Sequence, residues 1–145
     1  MPKLVIGFSV GREVVERMNR ASKRLWICTP YIGQRYIELL ALSKKRGLDV
    51  RILVRKCVEN RDIIEKARIL ELELRLLEKL HAKIYIIDDQ CIIGSLNLTE
   101  SGIEYNMELL LIIDKESEPE LFNNLEKAFE LLWIISQPIS TDSTN

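Results

Sequence analysis

The sequence contains one histidine, His81, and only three cysteines, Cys28, Cys57 and Cys91, which lie far apart. An odd number of scattered cysteines predicts neither a zinc site nor a disulfide framework, so we expect reduced thiols in the core. No stretch reaches the roughly eighteen uncharged apolar residues of a membrane span, and the apolar run in residues 1–10 is too short for a secretory signal. These absences predict a soluble cytoplasmic protein without a metal, a cofactor or a membrane anchor.

Charge is nearly balanced over the chain but unevenly distributed along it. The formal net charge is −1, yet residues 1–60 hold thirteen Lys or Arg against five Asp or Glu. Solvated helix faces account for most charges of this kind, although a basic half beside a phosphate site could guide a polyanion. The basic residues of interest lie on the first predicted helix and at the end of the second: Arg12, Arg17, Arg20, Lys23, Arg24, Lys44, Lys45 and Arg46.

Length and composition predict one globular domain. The chain has 145 residues, 47% of them hydrophobic, which suits a single core and is short of two ordinary domains. We expect the domain to occupy residues 1–135. The polar residues 136–145 are predicted to form a disordered tail.

Strand-like and helix-like segments alternate along the domain. Such an order predicts an α/β layered domain, with a mixed, largely parallel sheet flanked by helices on both faces. Asn60 is expected to cap the third helix. The predicted strands are 3–8, 25–28, 48–55, 72–76, the two arms of a hairpin around residue 89, and 108–114; the predicted helices are 12–23, 34–46, 60–70 and 119–135.

The hairpin carries four polar side chains that could converge. His81 and Lys83 precede an apolar β-branched run, and Ser95 and Asn97 follow a second one. Residues two apart on a strand share a face, and a three-residue turn at 88–90 would place His81 opposite Asn97 and Lys83 opposite Ser95. A nucleophile or base, a positive charge, a hydroxyl and an amide would then surround a phosphate-sized volume.

Each of these residues alone has an ordinary interpretation. A single histidine is usually a surface or core residue, a lysine is usually solvated, and Gly-Ser is often a turn. Together they are harder to dismiss, because Lys83 belongs to a largely apolar strand.

The combined pattern resembles the signature of the phospholipase D superfamily. That signature is H-x-K, four residues and Asp, and then G-S-x-N after a short gap. Here it is formed by His81, Lys83, Asp88, Gly94, Ser95 and Asn97, with a gap between Asp88 and Gly94 that is one residue shorter than usual. A hairpin shorter by one residue would explain the difference.

The resemblance implies the family's α/β/α sandwich and a role for each residue. His81 is implied as the nucleophile that forms a phosphohistidine, Lys83 and Asn97 as phosphate ligands, and Ser95 as a hydroxyl donor. Glu108, on the next strand, is implied to orient the imidazole. Asp88 would support the hairpin or Lys83, with a weaker assignment to catalysis.

A loop upstream of the hairpin also looks like one that borders the pocket in this family. It covers residues 26–32 and contains Tyr31, which could contact the substrate or simply pack as a loop aromatic.

Family members use a second histidine as the proton donor, usually from a second copy of the motif. This chain has neither, so a symmetric homodimer with one composite site is expected. The function expected is metal-independent cleavage of DNA or RNA. Two alternatives remain at this point: hydrolysis or transfer of phospholipid head groups, which lacks the support of a membrane helix or lipid anchor, and a module that binds nucleic acid without cutting it.

Overall fold

The computed structural model describes residues 1–139, in which one eight-stranded sheet is flanked by helices. A 3₁₀ turn at Val58–Asn60 and a π-helical turn at Ser101–Tyr105 complete the regular structure. The strands are β1 (Lys3–Phe8), β2 (Arg24–Cys28), β3 (Asp49–Arg55), β4 (Leu74–Leu77), β5 (Ile84–Ile87), β6 (Gln90–Gly94), β7 (Met107–Asp114) and β8 (Gln137–Pro138); the helices are α1 (Arg12–Arg20), α2 (Gln34–Lys45), α3 (Arg61–Ile69) and α4 (Pro119–Ile135).

The strands are arranged in the order β1-β7-β6-β5-β2-β3-β4-β8. The crossovers through α2 and α3 make β2, β3 and β4 parallel, whereas each of the other neighbouring pairs is antiparallel. The expected mixed α/β fold is therefore confirmed, but the prediction of a largely parallel sheet is wrong, since two of the seven strand pairings in residues 1–139 are parallel and five are antiparallel.

Helices cover both faces of the sheet, as expected. On one face, Val14 and Met18 of α1 join the apolar stripes of α2 and α3 over the sheet. On the other face, Phe122 and Phe129 of α4 are fully buried against β2, β5 and β6. Two apolar cores thus hold the central strands from both sides.

The β5–β6 hairpin has a shorter turn than we predicted. Ile84 pairs with Ile93 and Ile87 with Gln90, so the turn consists of Asp88 and Asp89 alone. The predicted opposition of His81 to Asn97 and of Lys83 to Ser95 is therefore wrong by one residue. Asp88 takes the positive φ of 53° that so tight a turn needs, a conformation that Asp tolerates better than most residues.

The Asp88 carboxylate anchors the chain between α1 and β2. It accepts backbone N–H bonds from Ser22, Lys23 and Arg24 at 3.0, 2.8 and 3.1 Å. Partial burial alone would raise the pKa of Asp88, but these three bonds outweigh it and lower the pKa below the ordinary value. Asp88 thus joins the hairpin turn to the start of β2.

Two local expectations differ from the structure. Asn60 makes no side-chain cap to α3, because its amide nitrogen instead donates to the carbonyls of Pro30 and Arg55. The polar tail was expected to begin at residue 136, but Gln137–Pro138 pairs with β4. Residues 140–145 lie outside the described part of the chain.

The thiols of Cys28 and Cys91 are buried and unpaired, as predicted, whereas Cys57 is half-buried. Burial raises the pKa of both core thiols to about 12, which keeps them protonated and unreactive. Within residues 1–139, none of the helices has the length and apolar character needed to span a bilayer.

Replacement of Asp88 by Asn should lower the free energy of unfolding at pH 7 by about 1–2 kcal/mol, because charge-assisted bonds to three backbone N–H groups are weakened. Since the folded pKa is lowered, the carboxylate's contribution is complete above the unfolded pKa of about 4 and is lost as pH falls through the folded value. The stability difference between wild type and Asp88→Asn should therefore shrink on acidification in denaturant titrations.

Asp89→Asn is the matched control, since its exposed carboxylate pairs only with Lys23 at 3.2 Å. It should change stability by less than about 0.5 kcal/mol. Equal losses in the two variants would contradict the anchoring role of Asp88.

Candidate active site

The predicted site residues gather at the sheet edge where the parallel strands end. His81 and Lys83 precede β5, and Ser95 and Asn97 follow β6, so the antiparallel hairpin brings both pairs to one edge. The end of β2 lies beside them, since the Cys28 thiol contacts the Ala82 carbonyl at 3.6 Å. The hairpin therefore brings all four polar residues to the same region despite its shorter turn.

His81 and Lys83 are open to an incoming phosphate. The His81 side chain is exposed, and its Nε2 lies 3.4 Å from Lys83 Nζ. Neither residue has a carboxylate partner among residues 1–139. An imidazole nitrogen beside an ammonium group can attack a phosphorus atom whose oxygens that ammonium group holds.

Ser95 is held by a close approach of β6 to β7. Gly94 has φ +155°, and a Cβ there would lie 2.1 Å from the Leu109 carbonyl oxygen. This closeness lets the Ser95 N–H donate to Leu109 O at 3.1 Å, while Ser95 Oγ accepts from Leu109 N–H at 3.0 Å. The first residue of the G-S-x-N pattern is therefore glycine for steric reasons, and Ser95 joins the motif to β7.

Asn97 has one amide atom without a partner. Its Oδ1 is buried and forms no hydrogen bond within the described chain. Leaving a buried acceptor unpaired costs about 1–3 kcal/mol, and folds retain such groups mainly where function requires them. The orphaned oxygen is an acceptor, and a phosphodiester has no donor to offer it, so the phosphate contact predicted for Asn97 requires its amide nitrogen instead.

A π-helical turn at Ser101–Tyr105 follows the motif and was not predicted. Gly102 in this turn lies so close to Asn97 that a Cβ would be 2.3 Å from the Asn97 carbonyl oxygen. Turns of this type are rare and often adjoin functional sites. Here the turn supports the backbone that carries Asn97.

Tyr85 supports the same loop from inside the core and was also missed. Its hydroxyl is fully buried and donates to the Leu96 carbonyl at 2.6 Å, while Thr29 Oγ1 accepts from the Leu98 N–H at 3.2 Å. Burial raises the pKa of Tyr85, so the phenol stays protonated and remains a donor. A hydroxyl in the otherwise aliphatic segment Ile84–Ile87 was the available signal.

Glu108 lies at the same edge on β7, opposite Gly7 of β1. Its side chain is 8% exposed, and its charge adds to the rise in the pKa of the buried Tyr85. Within residues 1–139 no hydrogen bond joins Glu108 to His81. The structure thus places the carboxylate beside the site without showing the predicted imidazole contact.

Asp88 is the predicted site residue that the fold keeps apart. It occupies the turn at the other end of β5, roughly 16 Å along the strand from Lys83. Its bonds to Ser22, Lys23 and Arg24 lie at that far edge. The geometry favours the hairpin-supporting role over the catalytic one.

The loop predicted to border the pocket lies next to the chain segment that follows Asn97. Thr29 donates its hydroxyl proton to the Tyr31 carbonyl at 2.8 Å, and Ile32 forms a bridge with Leu98 just beyond Asn97. Tyr31 itself is half-buried. Its contact with substrate remains a prediction.

The basic residues highlighted in the sequence lie mostly away from the site. The α1–β2 segment pairs Arg17 with Glu13, Lys23 with Asp89 and Arg24 with Glu126 near the far edge. The end of α2, with its own basic residues, points to that edge too. By contrast, three arginines at the His81 edge have no ion pair among the described residues: Arg35, Arg55 and Arg61.

The site is open rather than enclosed. A cleft of about 910 Å³ lies between α3 and β8 and is not lined by His81. His81 and Ser95 are instead exposed at the sheet edge. Such a surface can admit a long chain as readily as a small ester.

Comparisons with known proteins agree with this arrangement. The family described as "Cardiolipin synthase, PLD-like domain" matches residues 14–133. Cardiolipin synthase A of Pseudomonas putida is 28% identical over 142 residues, which cover 89% of this chain and 30% of that protein. The chain therefore spans less than a third of the length of the curated relatives that it matches.

Solved structures show the same fold. Nuc from Salmonella typhimurium, a phospholipase D family member, aligns with a TM-score of 0.79 at 20% identity, covering 96% of this chain and 99% of that one. NucT from Helicobacter pylori aligns with a TM-score of 0.76 at 18% identity and the same coverage. At these identities the likeness establishes the architecture alone.

Tyr85→Phe tests the support of the loop. Removing the hydroxyl leaves the buried Leu96 carbonyl unpaired, so we expect a loss of about 1–2 kcal/mol in the free energy of unfolding. We also expect a several-fold lower kcat on a phosphodiester with little change in KM, measured at a temperature where the variant is fully folded. Thr29→Ser, which keeps the hydroxyl, should retain wild-type kcat.

Tyr36→Phe is the matched control, since Tyr36 is 3% exposed and its hydroxyl makes no hydrogen bond within residues 1–139. It should leave both stability and kcat near wild type. A Tyr85→Phe protein with unchanged kcat would exclude the positioning role.

Proposed function

Because the chain belongs to the phospholipase D superfamily, we propose that it is a metal-independent phosphodiesterase that cleaves DNA or RNA through a phosphohistidine at His81. The observation that carries the proposal is the exposed His81–Lys83 pair, in which the imidazole Nε2 lies 3.4 Å from the ammonium Nζ. Enzymes of this superfamily act on phosphodiesters, so the class of reaction follows from membership. The substrate and the steps below are our proposal.

The first step forms a covalent intermediate. His81 Nε2 attacks phosphorus, the new P–N bond forms, and the P–O bond to the leaving alkoxide breaks. Lys83 and the Asn97 amide nitrogen stabilise the nonbridging oxygens, whose charge rises in the transition state. Glu108 is proposed to turn toward the imidazole and hold its other nitrogen when substrate is bound.

The leaving alkoxide needs a proton, and this chain has no second histidine to give it. We assign that proton to the partner's His81 in a homodimer whose two-fold axis passes beside the site. Water, deprotonated by the same imidazole, then breaks the P–N bond and restores His81. The dimer therefore has one composite site built from two identical halves.

Nucleic acid as substrate is supported by the open site and by the unpaired arginines beside it. Arg35 begins α2, Arg55 ends β3 and Arg61 begins α3, so all three lie at the edge that carries His81. Cations without protein partners are free to bind successive phosphates of a polyanion. The paired cations at the far edge contribute less to this argument than the sequence suggested.

Phospholipid transfer is the second candidate, and one observation favours it: the curated relatives are cardiolipin synthases. The same phosphohistidine would be resolved by an alcohol instead of water. A module that binds nucleic acid without cleavage is less well supported, because His81, Lys83 and Asn97 are all present and accessible.

His81→Asn should lower kcat by at least about 10³-fold, since no other residue supplies the nucleophile. The assays are bis(p-nitrophenyl) phosphate and a labelled oligonucleotide in excess EDTA, with phosphatidylglycerol vesicles in parallel. Acid-quenched wild type should carry an acid-labile phosphoryl group that the variant lacks.

The outcomes of the His81→Asn assays distinguish between the mechanisms and substrates considered. Strict dependence on added Mg²⁺, or unchanged activity in His81→Asn, would overturn the mechanism. Turnover of vesicles but not of nucleic acid would assign the chain to phospholipid transfer. Full activity from a species that sediments as a monomer would exclude the shared site.

Replacing Arg35, Arg55 and Arg61 together by Ala should weaken oligonucleotide binding and reduce the slope of log Kd against log salt by about 0.7 per lost phosphate contact on a single strand. Hydrolysis of bis(p-nitrophenyl) phosphate should change little. The matched control replaces Lys44, Lys45 and Arg46, at the far end of α2, by Ala. Equal loss of binding in the two triple variants would contradict the assigned path of the nucleic acid.

A further inference from the structure

A second cavity opens near the candidate active site. It is the cleft of about 910 Å³ between α3 and β8, which we name the α3–β8 cleft. One wall is formed by the 3₁₀ turn at Val58–Asn60 with the start of α3, the other by Gln137–Pro138, and Leu76 of β4 also lines it. A cavity of this volume is within the range that holds small-molecule ligands.

The lining of this cleft joins apolar surface to positive charge. Five of its eleven lining residues are apolar, including Ile64 and Leu76. Lys56 and Arg61 also line it, are exposed and make no ion pair within residues 1–139. Lys56 donates to the uncharged side-chain oxygen of Gln137 at 3.3 Å, a bond that leaves the charge uncompensated. A ligand that fits therefore has both an apolar part and an anionic part.

The remaining charges of the lining favour a nucleotide over a lipid. Arg68 forms an ion pair with Glu65 on the same helix, so the cleft keeps the net positive charge of its other two cations. An acyl chain needs an apolar lining along its length, whereas six of the eleven residues here are polar or charged. A planar base attached to phosphate groups matches this mixture better.

A buried amide joins the cleft to the loop beside the site. Asn60, at the end of the 3₁₀ turn, is 2% exposed. Its side-chain nitrogen donates to the carbonyls of Pro30 and Arg55 at 2.9 and 2.8 Å. These bonds hold the cleft wall against the loop that contains Tyr31, so the two surfaces keep a fixed relation to each other.

The cleft and His81 lie at the same edge of the sheet. The cleft begins where β3 ends, and β3 is two strand spacings from β5, which His81 precedes. Strand β4 is one spacing further, so the cleft is roughly 10–15 Å from His81 along this edge. Since a stacked strand advances about 3.4 Å per nucleotide, this separation corresponds to about three or four nucleotides.

We propose that the α3–β8 cleft binds one base of a nucleic-acid strand whose scissile phosphate lies at His81. The base leaves its stack and packs against Ile64 and Leu76. Lys56 and Arg61 hold the phosphates on either side of it. The inference rests on the proposed nuclease function and adds a subsite to it.

Cys57 is a reporter of this cleft in the native chain. Its thiol lines the cleft and is half-buried, whereas the thiols of Cys28 and Cys91 are buried in the cores. Burial raises the pKa of Cys57 above the ordinary value, so its alkylation by iodoacetamide is measured at about pH 9, where the reactive thiolate forms. Mass spectrometry of the full chain after digestion gives the rate at which Cys57 is modified.

The test compares two strands bound to His81→Asn, which holds a strand without cleaving it. A saturating single-stranded dodecamer should slow the alkylation of Cys57 at least about tenfold, because an occupied cleft excludes the reagent. An abasic dodecamer keeps every phosphate but has no base to place in the cleft. It should slow the alkylation by less than about twofold.

Blocking the cleft through the same thiol tests the affinity. Modification of Cys57 by N-ethylmaleimide should raise the Kd of the intact dodecamer at least about tenfold, because the base loses its apolar contacts. The Kd of the abasic dodecamer should stay near that of the untreated protein. Cys57→Ser, treated in the same way, is the matched control and should bind both strands as before treatment.

Three results would overturn the inference. Equal protection of Cys57 by the intact and abasic strands would show that backbone charge alone explains binding. Protection by dihexanoyl phosphatidylglycerol but not by the dodecamer would assign the cleft to a lipid. Protection by neither would leave the cleft without a ligand of either class.

These readouts do not depend on turnover and are separate from the proposed function. A wild-type protein that cleaves the dodecamer while Cys57 stays unprotected would keep the nuclease function and reject the subsite. Protection of Cys57 in a protein that cleaves no phosphodiester would support the cleft as a nucleotide-binding site and reject the nuclease.

Discussion

The register of the β5–β6 hairpin is the constraint on which the site depends. All four residues of Ile84–Ile87 are buried, with Tyr85 and Ile87 in one core and Ile84 and Ile86 in the other. A slip by one residue would exchange these two sets between unlike environments, so packing on both faces fixes the pairing. The same register places the Asp88 turn at one sheet edge and the groups proposed for catalysis at the other.

The bonds that stabilise the β5–β6 hairpin and the residues proposed for catalysis therefore lie at its opposite ends. At the far edge, the Asp88 carboxylate accepts three backbone N–H bonds. At the near edge, His81 is exposed, Lys83 is half-buried and Asn97 keeps an unpaired oxygen. Unsatisfied groups at a site lower stability locally, and the well-bonded turn offsets that loss within the same element.

The sequence predicted which residues come together at the site, but it did not predict the length of the hairpin turn. The two-residue period of strands predicted that His81, Lys83, Ser95 and Asn97 share one face; the hairpin does bring them to one sheet edge, but the pairing from which the shared face was argued is wrong by one residue. The turn length could not be read, because Asp88 and Asp89 suit both a two-residue and a three-residue turn. The gap between Asp88 and Gly94, one residue shorter than is usual in the family, was the better indication of a short hairpin.

Contacts between distant parts of the chain were the harder part to predict. The bond from Tyr85 to Leu96 depends on how the chain folds back after Gly94, and the π-helical turn at Ser101–Tyr105 has no simple pattern. The basic residues that lie near the site were misjudged for a related reason. The direction of α1 and α2 across the sheet, not the number of basic residues, decides which of them face the site.

The chain has one histidine where the proposed mechanism needs two, and apolar side chains of β1 and β7 are exposed on one face of the sheet. Phosphoryl transfer through an imidazole needs one group to attack and another to protonate the leaving oxygen, and the two cannot be the same atom in one step. Exposed apolar surface of this extent is likewise stable only when something covers it. The homodimer proposed above answers the first need, because each copy supplies one histidine to a shared site.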